Sequence, residues 1–573
     1  MNPSTALATV LVDEMVRGGV REAVLCPGSR SAPLAYALQE ADRQGRLRLH
    51  VRVDERSAGF LALGLAKLSG DPVPVVTTSG TAVANLHPAV LEAGHAGVPL
   101  LVLSADRPPE LRGTGANQTT NQTGFFGAAV RWSHELEAPA RRPGLNGSWR
   151  SVVARACAAA RGNLTGDAGP VHVNVPLRDP LVATPDPAGE PVWPDDLQGR
   201  AGGKPWVRVP RPSAAPGADI TATPRTLVVI GDLPRAGMAA EVVELARAAG
   251  WPVVAEPFGR YDRTAVVAHG PLLLGARGWL EAHLPEQVLV VGRITLARTV
   301  AAVVRHPDVR VEVVATTADW VDPSHVASRV LPWGSIPASR PAVDGCGDHA
   351  WAGEWTEAGR RVAKAAAEVV AGAWPSGPAV AVTLAEALPP GATLFVGSSN
   401  PVRDLDLAVG PGTLEAATQV VASRGLAGID GCVSTATGLA LAAPDSPTYA
   451  LMGDLTFLHD QGGLLIGPHE PRPDLTIVVP NDDGGGIFTL LEPGEPERAA
   501  DFERIFGTPT GASLEALCRA HGARHVLAST AAELSDAVAS RPAGITVIEV
   551  PIPRAAHRDL QADLRDAAVA ALA

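Results

Sequence analysis

Two carboxylates stand where neighbouring β-strands are predicted to end. Asp454 follows the apolar stretch 448–452, Asp482 follows the apolar stretch 475–479, and glycines lie beside both. Because the carboxyl ends of parallel strands meet at one edge of a sheet, a βαβ unit would bring these side chains together. Mg²⁺ takes one or two carboxylates and leaves its other positions to phosphate and water. The pair therefore predicts a magnesium site for a phosphorylated ligand.

The predicted connection between these strands is an apolar helix over residues 457–466. The carbonyl of Gly484 offers a third protein ligand. Ordinary turns are the alternative explanation, since Asp, Asn and Gly dominate turns. The pairing of two such clusters across one βαβ unit favours the metal site.

Arginines occupy further predicted strand ends. The turn at 28–31, which contains Arg30, lies between a strand and a helix, where free N–H groups and a guanidinium make an anion site. Arg403 and Arg424 lie beside glycines at two other strand ends, where a guanidinium can pair with a carboxylate in a bidentate manner. Surface ion pairs are the alternative for Arg403 and Arg424, and the 28–31 turn by itself is no more specific than a lone glycine-rich loop.

Strands and helices alternate along the whole chain, which at 573 residues is too long for one core. The predicted fold class is α/β, with three doubly wound domains and mainly parallel sheets. The predicted divisions are domain 1–182, linker 183–222, central domain 223–340, linker and helix 341–370, and domain 371–573, with a loose stretch at about 335–355. The central domain has no G-x-G-x-x-G fingerprint, so a structural role is expected there, with Arg293 as the exception.

Composition excludes several classes of protein. With 48 basic and 60 acidic residues, the net charge of −12 argues against nucleic acid or an anionic membrane as the main partner. Five scattered cysteines without a C-x-x-C pair argue against a disulfide framework or a zinc site. The sequence has neither a secretory signal nor an apolar run long enough to span a membrane. A cytoplasmic protein without membrane insertion is expected.

The segment from Gly453 to Gly484 resembles the metal–diphosphate motif of thiamine diphosphate (ThDP) enzymes. Leu455 stands where most of that superfamily has a second glycine, and Asp482 stands where Asn is usual. Asn481 would therefore replace Asp482 as a ligand if the alignment with the motif is off by one residue. The resemblance implies ThDP as cofactor, Mg²⁺ (with Mn²⁺ as an alternative) on Asp454, Asp482 and the Gly484 carbonyl, and pyrimidine-binding, central and diphosphate-binding domains in that order. The residues it places at the cofactor on this side are Ser399, Gly453, Asp454, Leu455, Thr456, Asn481, Asp482, Gly484, Gly485, Ile487 and Phe488.

Further motifs resemble one family of that superfamily, the 2-succinyl-5-enolpyruvyl-6-hydroxy-3-cyclohexene-1-carboxylate (SEPHCHC) synthases of menaquinone biosynthesis. They are PGSRSAPL at 27–34, DERSAGF at 54–60, TSGTA at 78–82, SADRPPEL at 104–111, GANQ at 115–118, SRG at 423–425 and GIDG at 428–431. Leu455 is normal in this family, and the resemblance spans about residues 4–550. It implies a transferase that decarboxylates 2-oxoglutarate and adds the succinyl group to isochorismate in a 1,4-addition.

The resemblance also implies a role for each remaining candidate residue. Glu55 would activate the cofactor, although a helix first-turn acid is its structural explanation. Thr78, Ser79 and Gly80 would line the aminopyrimidine, and Ser399, Arg403 and Arg424 would face the succinyl carboxylate, with both arginines counted as catalytic. The residues expected to face isochorismate are Ser29, Arg30, Arg107, Asn117, Gln118 and Arg293, with Ile487 and Phe488 as an apolar wall.

The assembly follows from the same resemblance. Glu55 lies in the first domain and Asp454 in the third, and in this superfamily the two come from different subunits, so a homodimer is the minimum and a homotetramer is expected. The rival functions are another ThDP-dependent carboligase or decarboxylase, such as an acetohydroxyacid synthase, and a catalytically silent binding protein. The SRS segment at 29–31 and the pair Arg403 and Arg424 argue against a small monocarboxylate substrate. The presence of Glu55 and of both acidic metal ligands argues against a silent protein.

Overall fold

The computed structural model describes residues 1–182, 192–210, 217–540 and 543–573. They divide into two compact units. The first comprises Met1–Pro212, Gly425–Ala443 and Asp460–Pro473, and the second comprises Ser213–Arg424, Pro444–His459 and Asp474–Ala573. Within the predicted linker 183–222, residues 183–191 and 211–216 lie outside the described residues.

The first unit contains a parallel sheet with strand order β2-β1-β3-β4-β6-β5. Its strands are β1 (Glu22–Leu25), β2 (Arg48–Val51), β3 (Val73–Thr77), β4 (Leu100–Asp106), β5 (Trp132–Glu135) and β6 (Val171–Pro176). Its helices in this part of the chain are α1 (Pro3–Arg17), α2 (Ala32–Arg43), α3 (Glu55–Ser69), α4 (Thr81–Ala84), α5 (His87–Ala96) and α6 (Leu145–Ala160). Buried apolar clusters cover both faces of the sheet, as a doubly wound fold requires.

The second unit contains two parallel sheets, and the first of these has strand order β11-β10-β9-β7-β8. Its strands are β7 (Thr226–Ile230), β8 (Val253–Ala255), β9 (Gln287–Val291), β10 (Arg310–Ala315) and β11 (Ala327–Pro332). The accompanying helices are α7 (Met238–Ala249), α8 (Gly270–Leu273), α9 (Arg277–Ala282), α10 (Arg298–Val304), α11 (Ser335–Val343) and α12 (His349–Ala371). We call this the central sheet.

The other sheet of the second unit has strand order β13-β12-β14-β15-β17-β16 and is also parallel. Its strands are β12 (Thr393–Val396), β13 (Gln419–Ala422), β14 (Thr448–Leu451), β15 (Leu475–Asn481), β16 (Arg524–Leu527) and β17 (Ile545–Pro551). The remaining helices of the chain are α13 (Gly377–Ala387), α14 (Asn400–Ala408), α15 (Cys432–Ala442), α16 (Asp454–His459), α17 (Ala499–Phe502), α18 (Leu514–Ala520), α19 (Ala531–Ala539) and α20 (His557–Leu572). Three parallel sheets with helices confirm the predicted α/β fold class.

Two local predictions are wrong. The helix expected over 457–466 is the six-residue α16, which starts earlier and is followed by a 3₁₀ turn at Gln461–Leu464. Two glycines lie in that turn, and the side chain of Asp460 accepts hydrogen bonds from the Ser434 N–H (2.7 Å) and hydroxyl (3.1 Å), which favours an irregular connection. The stretch 335–355 is largely helical, because α11 buries Ile336 and Val343 in the core.

Helices α3 and α15, both in the first unit, approach each other closely at two glycines. A Cβ atom on Gly64 would lie 2.2 Å from the carbonyl oxygen of Thr435, and one on Gly438 would lie 2.3 Å from the carbonyl oxygen of Leu61. Backbone atoms cannot yield as a flexible side chain can, so these contacts require glycine.

Replacing Gly438 with alanine is therefore expected to lower the free energy of unfolding by about 1–3 kcal/mol, because the added methyl group overpacks the contact. Chemical denaturation measures the change. Gly353 in α12 is the matched control, since its Cβ would meet no atom within 4 Å. Gly353→Ala should stabilise the protein by up to about 1 kcal/mol, the difference in helix propensity. Equal effects of the two substitutions would contradict the close contact.

Within the described ranges, no helix combines the length and the apolar character needed to cross a membrane.

Candidate active site

The two predicted metal ligands lie together at the carboxyl edge of the third sheet. Strands β14 and β15 are parallel neighbours, and their register pairs Leu451 with Val478. Asp454, 3% exposed, begins α16 just beyond β14, and one of its carboxylate oxygens accepts a hydrogen bond from the Gly484 N–H at 2.8 Å. Asp482 follows β15, and its negative charge acts directly on Asp454. The structure thus brings the two carboxylates of the βαβ unit to one place.

Burial first, and the charge of Asp482 second, raise the pKa of Asp454 to about 7. Two carboxylates that crowd each other in a buried place are a suitable site for a divalent cation, because its charge removes their repulsion. Asp482 also contacts His557, whose Nε2 lies 2.8 Å from the Asp482 carboxylate. This donor set fits the Mg²⁺ site that the sequence predicts.

The neighbouring residue Asn481 is engaged elsewhere. Its side-chain amide nitrogen donates to Glu549 on β17 at 2.6 Å, and its side-chain Oδ1 accepts from the Asp483 N–H at 2.9 Å. In the alternative alignment Asn481 would replace Asp482, but Asp482 is the residue that interacts with Asp454.

The loop after β15 is built on close backbone contacts. A Cβ atom on Gly484 would lie 2.0 Å from the carbonyl oxygen of Gly507, and one on Gly485 would lie 2.1 Å from that of Phe506. The carbonyl oxygen of Gly484 accepts a hydrogen bond from the Gly486 N–H at 3.0 Å. Ile487 and Phe488 follow in a 3₁₀ turn, where the ring of Phe488 lies 5.4 Å from that of Phe506.

A second loop reaches the same edge from β12, the neighbour of β14. Gly397 is packed so closely that its Cβ would lie 2.8 Å from the Cβ of Met452, just before Gly453 and Asp454, and 3.4 Å from Thr456, which follows Leu455 in α16. In this loop the Ser398 hydroxyl and the side-chain Oδ1 of Asn400 are buried and make no hydrogen bond with the described residues. Buried polar atoms normally have partners, so these two fit a polar ligand at this edge.

Ser399 and Arg403 are linked in that loop. Ser399 has φ of 82°, a left-handed conformation that a non-glycine residue adopts only when its surroundings impose it. Its carbonyl oxygen accepts a hydrogen bond from the Arg403 guanidinium at 2.7 Å. Burial, followed by the positive charge of Arg424, lowers the pKa of Arg403. The structure therefore brings these two predicted carboxylate-binding arginines near each other.

Arg293 follows β9 in the central sheet of the second unit. Its backbone forms an antiparallel bridge with Asp232, with N–H to carbonyl distances of 3.0 and 2.8 Å. The position of this predicted substrate residue is thus fixed through its main chain.

The predicted residues of the first unit form a second group. The Ser79 hydroxyl donates to the carbonyl oxygen of Gln118 at 2.8 Å, and the Gln118 amide donates to the Ser79 carbonyl oxygen at 2.9 Å. Arg107 donates to the Ser79 hydroxyl and, at 2.9 Å, to the Gln118 carbonyl oxygen. Burial and the charge of Arg30 lower the pKa of Arg107, so Arg30 lies close by. Four residues expected to serve cofactor and acceptor are thus brought together.

Glu55 is the half-buried first residue of α3, beside Asp54, whose side chain caps that helix by accepting from the Arg56 N–H at 2.9 Å. Thr78 packs against the 28–31 turn so tightly that a Cβ on Gly28 would lie 2.3 Å from the Thr78 Cβ.

Other predicted residues are held less specifically. Arg30 donates to the Leu177 carbonyl oxygen at 3.0 Å, which attaches the 28–31 turn to the end of β6. Ser29 and Asn117 are exposed. The structure describes no side-chain contact for Ser29 that would fix its direction.

Sequence reasoning missed two polar residues that form hydrogen bonds with the predicted site residues. Gln122 is fully buried, accepts a hydrogen bond from the Gly80 N–H at 3.0 Å and donates to Asn174 at 3.0 Å. His557, on α20, contacts Asp482 from far along the chain. Neither residue belongs to a local motif, so only the fold reveals its contacts.

Comparisons with known proteins agree with this geometry. Residues 5–125 match the family model described as the N-terminal TPP binding domain of thiamine pyrophosphate enzymes, and residues 412–550 match the C-terminal TPP binding domain. A crystal structure of benzoylformate decarboxylase from Polynucleobacter necessarius superimposes with a TM-score of 0.65 at 19% identity, over 97% of this chain and 99% of that one, which shows a common fold. The two family models, together with the fold, define a thiamine diphosphate enzyme.

Closer relatives specify the family. A 2-succinyl-5-enolpyruvyl-6-hydroxy-3-cyclohexene-1-carboxylate synthase from Saccharopolyspora erythraea is 47% identical over 99% of this chain and 100% of its own length. The enzymes of that name from Rhodococcus opacus and Mycobacterium avium are 49% and 47% identical over 99% of this chain, and the matches cover 99% and 100% of their own lengths. The chain therefore belongs to the SEPHCHC synthase family.

Proposed function

We propose that the enzyme decarboxylates 2-oxoglutarate and joins the resulting succinyl group to isochorismate, which yields SEPHCHC and carbon dioxide for menaquinone biosynthesis. The observation that carries the proposal is the pair Arg403 and Arg424 in the second unit, which also holds the Asp454–Asp482 carboxylate pair. Two neighbouring guanidiniums suit a dicarboxylate donor, whereas a small monocarboxylate needs only one.

The cofactor would be held in the second unit by its diphosphate. Asp454, Asp482 and the Gly484 carbonyl would bind Mg²⁺, with Mn²⁺ as the alternative. The cofactor residues in the loops around them would be Ser399, Gly453, Leu455, Thr456, Asn481, Gly485, Ile487 and Phe488. When bound, ThDP supplies the nucleophilic carbon and the electron sink that decarboxylation of a 2-oxo acid needs.

Glu55 would hold and exchange a proton at the aminopyrimidine ring of ThDP. A carboxyl group placed at the start of a helix and partly removed from water is suited to that role. Thr78, Ser79 and Gly80 would line the same ring, and the hydrogen bond from the Gly80 N–H to buried Gln122 holds their loop in place.

The two substrates would use different arginines. Ser399, Arg403 and Arg424 would bind the carboxylates of 2-oxoglutarate. The residues proposed for isochorismate are Ser29, Arg30, Arg107, Asn117, Gln118 and Arg293, with Ile487 and Phe488 as the apolar wall that excludes water. The positive charge of the arginines in both groups would offset the negative charge of the two substrates inside an acidic chain.

We further propose a homodimer as the smallest active assembly, and a homotetramer as the expected one, with Glu55 of one subunit and Asp454 of the other serving the same cofactor. Each unit carries only one of the two residue sets, which supports this arrangement. A cytoplasmic location, where thiols stay reduced, belongs to the same proposal. We also propose that residues 1–182, 223–340 and 371–573 form the three domains of the chain.

Carbon dioxide release from 2-oxoglutarate tests the function. With ThDP and Mg²⁺ present, release should depend strongly on added isochorismate, and the adduct should be visible by mass spectrometry. Release that is indifferent to isochorismate would reject the acceptor but keep the donor. If ThDP binds and no carbon dioxide is released, the donor is wrong, and pyruvate is the next substrate to test.

A further inference from the structure

Glu256 is a buried acid that the mechanism above does not use. It follows strand β8 at the carboxyl edge of the central sheet and is 6% exposed. Its Oε1 accepts hydrogen bonds from the N–H groups of Thr295 (2.5 Å) and Leu296 (2.7 Å), and its Oε2 accepts from the Thr295 hydroxyl at 3.0 Å. Strands β8 and β9 flank β7, so the loops that follow them meet at this edge. Glu256 thus fixes the Thr295–Leu296 loop by three bonds.

Thr295 passes this constraint to Arg424. The Arg424 Nε donates to the Thr295 hydroxyl oxygen at 3.0 Å, and its Nη2 donates to the Thr295 carbonyl oxygen at 3.3 Å. A hydroxyl group has one proton and two acceptor positions, so Thr295 can donate to Glu256 and accept from Arg424 at the same time. Arg424 is 4% exposed, and one edge of its guanidinium, formed by Nε and Nη2, is oriented by one threonine.

The charge of its surroundings explains why an acidic residue, Glu256, is packed against the Thr295–Leu296 loop. Burial raises the pKa of Glu256 to about 7, while the bonds from Thr295 and Leu296 and the charge of Arg424 act in the opposite direction. Burying a carboxyl group is unfavourable unless it is hydrogen-bonded or paired. Arg403 and Arg424 repel each other. When it is ionised, Glu256 offsets that repulsion, as an apolar residue could not.

We propose that Glu256 is a positioning residue for the donor substrate, which acts through Thr295 to hold Arg424 in the orientation that binds a carboxylate of a 2-oxo dicarboxylic acid. This inference rests on the proposed function, because it takes Arg424 as a ligand of 2-oxoglutarate. The affinity for 2-oxoglutarate would then depend on Glu256, a residue at the edge of the central sheet that does not itself touch the substrate.

Thr295→Val tests the link with little change in shape. Valine keeps both backbone N–H bonds to Glu256 and removes only the hydroxyl shared by Glu256 and Arg424. The KM for 2-oxoglutarate should rise by about 10-fold, the scale of a lost hydrogen bond to a charged group, while kcat stays within about three-fold. Glu256→Gln should raise the same KM. The KM for isochorismate should stay within about two-fold, because backbone bonds to Asp232 anchor Arg293 separately.

Thr299→Val is the matched control. The Thr299 hydroxyl donates to the Pro271 carbonyl oxygen at 2.8 Å in the same unit, and no described bond joins it to Glu256 or Arg424. This variant should keep the wild-type KM for 2-oxoglutarate. Melting temperature and calorimetric ThDP binding, measured for all three variants, separate a loss of folding or of cofactor from a change in donor affinity.

The outcomes distinguish the inference from the proposed function. If the wild-type enzyme does not turn over 2-oxoglutarate, both are rejected. If it does, and Thr295→Val and Glu256→Gln keep the wild-type KM for 2-oxoglutarate, the positioning role alone is rejected. An equal rise of that KM in Thr299→Val would also reject it, since the effect would then come from general loosening of the unit.

Discussion

Replacing Glu55 with glutamine is expected to lower turnover by about 100-fold or more, the usual scale for a positioned acid–base group. Glutamine has nearly the same shape and can still form hydrogen bonds, but it cannot exchange a proton with the cofactor ring. Glu55 is the half-buried first residue of α3 and does not belong to the buried apolar clusters of the first unit, so the fold should persist. Steady-state kinetics with both substrates, together with circular dichroism, measure the two effects.

Asp54→Asn is the control for that substitution. Asp54 is the neighbouring acid and accepts the helix-capping hydrogen bond from the Arg56 N–H, which an asparagine also accepts. Its variant should therefore retain most of the activity. Near-wild-type turnover of Glu55→Gln would remove Glu55 from the chemistry, whereas equal losses in both variants would point to damage at the start of α3.

Asp454→Ala is expected to abolish retention of ThDP. The substitution removes one of two carboxylates proposed to bind the metal, and without the metal the diphosphate loses its counter-charge. Calorimetric titration of ThDP in the presence of Mg²⁺ should show no binding at concentrations that saturate the wild-type protein. The metal-free variant should still fold, because burial and the charge of Asp482 already disfavour the ionised form of Asp454.

Asp483→Asn provides the comparison for Asp454→Ala. Asp483 is exposed and has φ of 50°, a conformation that asparagine adopts readily. This variant should bind ThDP as the wild-type protein does. Unchanged ThDP binding by Asp454→Ala would place the metal elsewhere, and lost binding in both variants would indicate that the loop itself had been disturbed.

The parts of the site that sequence could predict are those that depend on local order. Strands β14 and β15 are continuous apolar runs, and polar residues directly after such runs must lie at one edge of a parallel sheet, so Asp454 and Asp482 could be paired in advance. The choice between Asn481 and Asp482 remained open, because residues adjacent in an extended chain point in opposite directions. The structure pairs Asn481 with Glu549, a contact between strands that no local pattern encodes.

The parts that sequence could not predict depend on contacts between distant segments. Glu256, Thr295 and Arg424 come from three separate strand ends, and the first two lie outside every motif that carries the family resemblance. The helix expected over 457–466 failed for a similar reason. Its apolar residues suggested a helix, but the bonds between Asp460 and Ser434 hold that connection in another form.

Helix α20 connects a buried apolar cluster of the second unit to the proposed metal site. Leu564 and Ala568 on this helix belong to the buried cluster of Trp351 and Trp355, while His557 at its first turn contacts Asp482. A ligand that binds Asp482 is therefore expected to stabilise the first turn of α20, and by linkage to disfavour states in which this helix detaches. Limited proteolysis should then cleave α20 more slowly when ThDP and the metal are bound than when they are absent.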